Sequence, residues 1–345
     1  MSHQDRFLKA CRGQPTDRVP VWLMRQAGRY QPTYRALRQT KSLLELAGTP
    51  SLAAQITVRP VEEFGLDAAI LFSDIMVPLG PAGVVYEIRE GVGPVVADPI
   101  RSGIQAARLK VLDPPRDQPT TGEAVARAVE LLDGVPLIGF AGAPFTLASY
   151  LVEGRPSRTY AYSKRLMWTD PDTWDRLMTV LGDIVIAHLK AQLQAGARAW
   201  QLFDSWVGAL SREDYETRVF PYTRRIFDSL SPLGAPGIYF GVGAGHLLAS
   251  MARVGAEVIG VDWRQPLGEV RRTLGSGIAL QGNLDPVALL APWDTTAVQA
   301  RRVLAELAGQ RGYVFNLGHG VLPDTDPEQV RRLVRLVHTE GEPGR

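Results

Sequence analysis

Arg25 and Arg29 are the side chains of this sequence best equipped to grip a ligand. They stand four residues apart, after an apolar run over residues 19–24 that breaks into Arg25, Gln26 and Arg29. A guanidinium holds a carboxylate through two parallel N–H bonds, so the pair suits acidic groups on a small molecule. Similar breaks recur along the chain. Ser73-Asp74 follow the run 67–72, and Ala141-Gly-Ala-Pro-Phe145 follows 135–140 and leads to Tyr150. Asp204-Ser205 follow 199–203, Gly241-Val-Gly243 follows 237–240, and Asp262 follows 257–261. Gly282-Asn283 follow 278–281, and Leu317-Gly-His319-Gly320 follows 313–316. A purely structural protein has no need of polar side chains and glycines gathered at one end of every run.

Short apolar runs of this kind read as strands buried on both faces, as in a parallel sheet. Helical patterns separate most of them. Val125, Val129 and Leu132 line one face before Gly134, and a longer stripe from Trp174 to Leu189 should stop near Gly196. Asp170-Pro171, Asp285-Pro286 and Asp326-Pro327 each read as an N-cap followed by proline in the first turn, and Ser211 with Asp214 as a weaker cap. Eight strand–helix alternations predict an α/β protein with a (β/α)8 TIM-barrel fold, in which chemistry sits at the C-terminal ends of the strands. A doubly wound open sheet is the alternative. Residues 83–98 read as a β-hairpin inserted after strand 2. The chain then forms one domain over 1–345, with an N-terminal extension at 1–18 and a tail at 340–345.

Bulk properties narrow the function class. A net charge of +2 gives no nucleic-acid footprint. Residues 1–41 are locally basic, with nine Lys and Arg against Asp5 and Asp17, which suits a polyanionic small molecule, although the chain's preference for arginine over lysine also contributes. Arg35 and Arg38, beyond Pro32, read as a solvated segment. No apolar run is long enough for a membrane span, and the N-terminus lacks a signal-peptide layout. Cys11 is the single cysteine, which excludes an internal disulfide and multi-cysteine metal sites and agrees with a cytoplasmic location. Gly241-Val-Gly-Ala-Gly245 departs from a dinucleotide loop by the spacing of its third glycine and reads as a tight turn. Asp324-Thr-Asp326 reads as a cap, and His3, His188, His246 and His338 show no ligand spacing.

The string from Pro20 to Tyr30 resembles the N-terminal signature of the uroporphyrinogen decarboxylase family. Phe72-Ser-Asp-Ile75, Gly139-Phe-Ala-Gly-Ala-Pro-Phe-Thr146, Gln201-Leu-Phe-Asp-Ser205 and Asn316-Leu-Gly-His-Gly320 are similar to further blocks of that family, in the same order over roughly 300 residues. The resemblance implies a single-domain barrel, usually a homodimer, with no cofactor and no metal. It implies that four acetate side chains of uroporphyrinogen III are decarboxylated to methyl groups, giving coproporphyrinogen III for haem and other tetrapyrroles. By the same resemblance Arg25, Gln26 and Arg29 bind substrate carboxylates, and Asp74 faces the pyrrole N–H groups as an ionised carboxylate. Tyr150 sits beside Asp74, Ser205 contacts a substrate carboxylate, and His319 binds acetate or propionate. Arg25, Asp74, Tyr150 and His319 are the catalytic candidates, with the proton donor left open among them and water.

Two rivals remain on the sequence alone. A corrinoid- or coenzyme M-type methyltransferase of the same barrel superfamily needs a thiol-activating zinc on late His and Cys residues, which Cys11 does not supply. A non-catalytic tetrapyrrole carrier would use the arginines for binding, with no call for a carboxylate aimed at pyrrole nitrogens.

Overall fold

The computed structural model describes residues 5–89 and 91–341. Seven apolar runs become parallel strands of one curled sheet: β1 Ala69–Ile70, β4 Leu137–Gly142, β5 Ala199–Asp204, β6 Gly237–Gly241, β7 Val258–Gly260, β8 Ala279–Leu284 and β9 Tyr313–Leu317, paired in that order. β4, β6, β7, β8 and β9 are buried along their whole length, as a parallel sheet covered on both faces requires. Helices Pro50–Phe64, Pro119–Leu131, Pro171–Gln194, Phe220–Leu230, Leu267–Leu274, Trp293–Glu306 and Pro327–Glu340 alternate with the strands. Their starts follow local chemistry. Asp170 accepts from Thr173 N–H at 3.1 Å and Asp326 from Glu328 N–H at 2.9 Å, each with proline in the first turn.

The first expected strand, 19–24, is not a ladder. Only Val21 bridges Phe315, in parallel. Phe315 N–H donates to Pro20 O at 2.9 Å and Trp22 N–H to Phe315 O at 3.4 Å. On the other flank, Asp67 N–H donates to Val21 O at 2.9 Å, and Val21 N–H donates to the Asp67 carboxylate at 2.9 Å. The physical reason is that Pro20 has no N–H to offer, and side chains of Asp67 and Asn316 take rungs that backbone carbonyls would otherwise hold. The second expected strand shrinks similarly: Phe72 N–H is taken by Thr57 Oγ1 at 2.8 Å. Inside the sheet, Trp22 Nε1–H donates to Gln281 at 2.9 Å, and Gln281 donates to Gln201 at 3.0 Å. Between β1 and β4, β2 Tyr86–Arg89 and β3 Gly93–Val96 pair antiparallel. Val96 N–H donates to Gly154 O at 2.8 Å, fastening them to the end of helix Pro144–Glu153.

At the N-terminal ends of the strands a buried ion cluster ties both chain ends together. Asp67 accepts from Arg6 at 2.6 Å and from His338 Nε2–H at 2.7 Å, while Arg6 also holds Asp17. Arg6, Arg12 and Arg18 thus sit at this pole, and Arg25, Arg29 and Arg38 at the other. The N-terminal basic surplus is therefore not one field. Burial opposes ionisation of Asp67, yet His338, the Val21 N–H and Arg6 hold its carboxyl below the usual range. A depressed folded pKa contributes stability that is present above the ordinary carboxylate value and is lost as pH falls through the folded one. Asp67→Asn would turn a donor toward Arg6 or His338, and the broken buried pair should cost roughly 3–5 kcal/mol at pH 7. Urea midpoints of both proteins across the acid range test this: the gap should be widest near neutrality and close on acidification, and equal midpoints at pH 7 would refute it.

Candidate active site

Arg25 stands just beyond the Val21 bridge with φ 59, a left-handed conformation unusual for a residue with a side chain. Its neighbours over-determine it. Met24 N–H donates to Asn316 Oδ1 at 3.0 Å, and Met24 O accepts from Val321 N–H at 2.9 Å. Gln26 is fully buried, its amide accepting from Leu23 N–H at 3.2 Å and donating to Ala68 O at 3.3 Å, and its carbonyl accepts from Tyr30 OH at 2.6 Å. The stem of Arg25 passes over Gly320, where a Cβ would collide with its Cγ and Cδ. Glycine at 320 is thus required by close approach.

Asp74 follows β1 and accepts from Met76 N–H at 2.9 Å through Oδ1. Burial raises its pKa above the usual carboxylate range, opposed by the Met76 N–H and the charge of Arg25. Its charge reaches three phenols, Tyr34, Tyr86 and Tyr150, each pushed above its ordinary pKa first by burial and further by Asp74. Tyr150 lies on helix Pro144–Glu153, half-buried, and its ring packs 3.9 Å from that of Trp206. The tryptophan is held in turn: Thr146 Oγ1 accepts from Trp206 N–H at 3.3 Å and donates to Asp204 at 2.8 Å, and Asp204 accepts from Tyr239 OH at 2.8 Å. Burial pushes Asp204 up to about 6, against those two hydroxyl bonds. Three phenols and the charge of Arg25 thus act within reach of one half-buried carboxylate.

His319 closes the site from the end of β9. Gly318 before it must lack a side chain because a Cβ there would strike the Trp263 backbone. Gly320 N–H donates to His319 Nδ1 at 2.7 Å, which leaves the proton of the neutral ring on Nε2. Burial, then the charge of Arg25, lowers its pKa to about 4, with Asp262 opposing and Arg264 assisting. At neutral pH His319 is therefore a neutral N–H donor and not an imidazolium acid. His319→Gln, which can place a donor near Nε2, should retain more substrate affinity than His319→Ala, with KM rising on the order of tenfold in the alanine variant. Neither should gain a new titration between pH 6 and 8. A neutral-pH limb present in the wild type and absent from both would contradict the assignment of a neutral ring.

The remaining candidates spread around this centre. Ser205 is half-buried between Asp204 and Trp206. Arg29 is exposed, one turn beyond Arg25, and its charge reaches Tyr34. Arg35 and Arg38 are not a merely solvated segment: Arg35 donates to the carbonyls of Arg29 and Tyr30 at 2.9 Å each, and Arg38 acts on Tyr34. Tyr34, Tyr86, Trp206 and Arg264 escaped sequence reading. Trp206, directly after Asp204-Ser205, carried the one usable signal, an aromatic at a strand end. The GVGAG segment is a turn, with Gly243 N–H bonded to Asp262. His188 bonds Gln118 and His246 bonds Leu210 O, so both have structural partners. Cys11 is buried at the opposite pole, where desolvation raises its thiol pKa. Among the described residues no group of three or more His, Cys, Asp or Glu could hold a metal ion, and no helix is long and apolar enough to cross a membrane.

Known proteins similar to this chain span nearly its whole length. A family model described as Uroporphyrinogen decarboxylase (URO-D) matches residues 2–340. A curated protein of Streptomyces coelicolor named uroporphyrinogen decarboxylase is 51% identical over 339 residues, 98% of this chain and 95% of its own length. One of the same name from Geobacillus thermodenitrificans is 52% identical over 334 residues, 97% of this chain and 96% of its own. Among solved structures, a methyltransferase from Methanosarcina mazei superposes with a TM-score of 0.81 at 21% identity, covering 98% of both chains. A B12-independent methionine synthase from Shewanella sp. W3-18-1 reaches 0.54 at 10% identity. At such identities the structures share the fold alone.

Proposed function

Because the chain belongs to the uroporphyrinogen decarboxylase family, we propose that it removes the four acetate carboxyl groups of uroporphyrinogen III, leaving methyl groups and giving coproporphyrinogen III. The observation that carries this reading is the half-buried carboxylate of Asp74 beyond β1, whose pKa burial raises, which feels the charge of Arg25 and acts on the Tyr150 phenol. Losing carbon dioxide from a pyrrole acetate needs an electron sink. Protonation of the ring carbon beside the acetate-bearing one makes the pyrrole an iminium-like acceptor for the electron pair of the breaking C–C bond. A second proton then converts the exocyclic methylene to methyl, and loss of the proton first added to the ring carbon restores the aromatic ring. Asp74 stabilises the positive charge that develops on the ring, most strongly in a site from which water is excluded. Arg25 and Arg29 hold substrate carboxylates. Gln26 acts on the site through its neighbour, its buried amide fixing the turn that presents Arg25. Ser205 and the Nε2–H of His319 supply further donors.

Residues 20–22 complete the sheet as the eighth stave of a (β/α)8 barrel, supported by their bonds to Phe315 on one side and Asp67 on the other and by the Trp22–Gln281–Gln201 link across the interior. β2 and β3 are then a hairpin inserted beside the mouth of this single domain, which works as a homodimer in the cytoplasm. The decisive test is anaerobic incubation of the purified protein with the reduced octacarboxylate, followed by separation of products by carboxyl number. Appearance of the tetracarboxylate is expected. An unchanged octacarboxylate would overturn this reading, and would leave only a carrier if it were bound.

A further inference from the structure

Outside the site just described, one cavity of about 430 Å³ is lined by three arginines, Arg101, Arg155 and Arg158, together with Glu153, Ser157 and Tyr162. The charge in it is unbalanced. Glu153, the one carboxylate of the lining, is committed to Ser163, accepting from its N–H at 2.8 Å and its hydroxyl at 2.9 Å. Arg155 and Arg158 are exposed, and among the described residues no carboxylate pairs with either. Elsewhere on the surface Arg89, Arg127, Arg253 and Arg301 each rest on an acidic partner. Arg101 is held in place, its guanidinium 3.7 Å above the Tyr162 ring and its Nε–H donating to Val152 O at 2.9 Å.

The segment carrying Arg155 and Arg158 is shaped at both ends. Gly154, with φ 79, ends the helix that bears Tyr150, and Tyr160, with φ 52, starts the next one. Ser157 Oγ accepts from Tyr160 N–H at 2.9 Å. The Tyr160 ring lies 5.2 Å from that of Trp206, the residue packed on Tyr150. Glu153 is three residues past Tyr150, roughly 4.5 Å of helix rise. We propose that Arg101, Arg155 and Arg158 form a second carboxylate-binding site, beside the helix of Tyr150, which takes peripheral carboxylates of the porphyrinogen as it docks. This rests on the decarboxylase reading above. A macrocycle with acid groups on every edge presents several carboxylates away from the reacting pyrrole, and forked donors without partners are the groups that recognise them.

The test compares wild type with the Arg155→Ala/Arg158→Ala double variant in two arms. In the kinetic arm the variant should show a KM for the octacarboxylate about fivefold higher or more, kcat within about twofold, and a weaker dependence of kcat/KM on ionic strength. The KM effect should shrink for a substrate with fewer carboxylates, and the Lys/Lys variant should recover only part of it. In the binding arm, calorimetry with uroporphyrin, the oxidised and unreactive octacarboxylate, should show the same loss of affinity. Unchanged KM and unchanged uroporphyrin affinity would overturn the proposal, as would a fall in kcat alone, which would mean that the segment only supports Tyr150. Equal competition by inorganic phosphate or citrate would reduce it to a generic small-anion site and overturn it too. If the wild type made no product, the decarboxylase reading would fail, and the uroporphyrin arm would still decide whether these arginines bind a tetrapyrrole.

Discussion

Asp74→Asn should lower the rate of decarboxylation by a factor on the order of 10² or more while leaving the thermal midpoint within a degree or two, the scale of a lost transition-state charge interaction. The substitution separates two roles. An asparagine can still accept from Met76 N–H through Oδ1, so the turn after β1 keeps its bond. What disappears is the negative charge in a desolvated pocket, where it counts most. The pH profile gives a second readout. Burial raises the Asp74 pKa, so an activity that needs the ionised form should fall on acidification along a limb displaced upward from the ordinary carboxylate value. That limb should be missing from the residual activity of the variant. Near-normal turnover by Asp74→Asn would remove Asp74 from the mechanism and return it to a turn-forming role.

Arg25→Ala should weaken kcat/KM by roughly 2–5 kcal/mol, since a substrate carboxylate sealed in the pocket would lose its partner. Arg25→Lys should recover part of this: it keeps a charge and a stem that can cross Gly320, but not the two-pronged fork. Arg29→Ala should cost less, because Arg29 lies one turn further out and its charge acts on Tyr34, whereas that of Arg25 acts on Asp74 and His319. Arg35 and Arg38 are unsuitable as neutral comparisons, since Arg35 braces the Arg29 and Tyr30 carbonyls and Arg38 faces Tyr34. Arg198, paired with Asp5 at the other pole, is the better control. Removing Arg25 also removes a charge that holds the Asp74 pKa down, so the acid limb should move to higher pH in Arg25→Ala and stay in place in Arg198→Ala. Equal, small losses at Arg25, Arg29 and Arg198 would mean that the arginines act as a diffuse field and that no clamp exists.

Much of this was legible in one dimension, because it depends on neighbours in the chain. A strand buried on both faces needs an uninterrupted apolar run, and seven of the eight runs are strands of the sheet. The caps at Asp170 and Asp326 concern groups two or three residues apart. The polar residue after each run followed from the strand ends, which placed Arg25, Asp74, Ser205 and His319 at one pole and led from β4 to Tyr150. What the tertiary structure alone decided depends on sums over distant groups. Neutrality of His319 comes from burial and from Arg25 and Arg264, and elevation of Asp74 comes from the packing around it. The phenols that Asp74 influences, Tyr34, Tyr86 and Tyr150, come from separate parts of the chain, as does Trp206, which packs on Tyr150. Gln26 could be read as a ligand group until Leu23 and Ala68 took its amide. Arg6 and Arg25 look alike in sequence, yet one is buried and neutralised by Asp17 and Asp67 at the base and the other stands exposed beyond the Val21 bridge, its charge acting on Asp74 and His319. Desolvation and fields are set by everything within about 10 Å, and only the folded chain fixes what that includes.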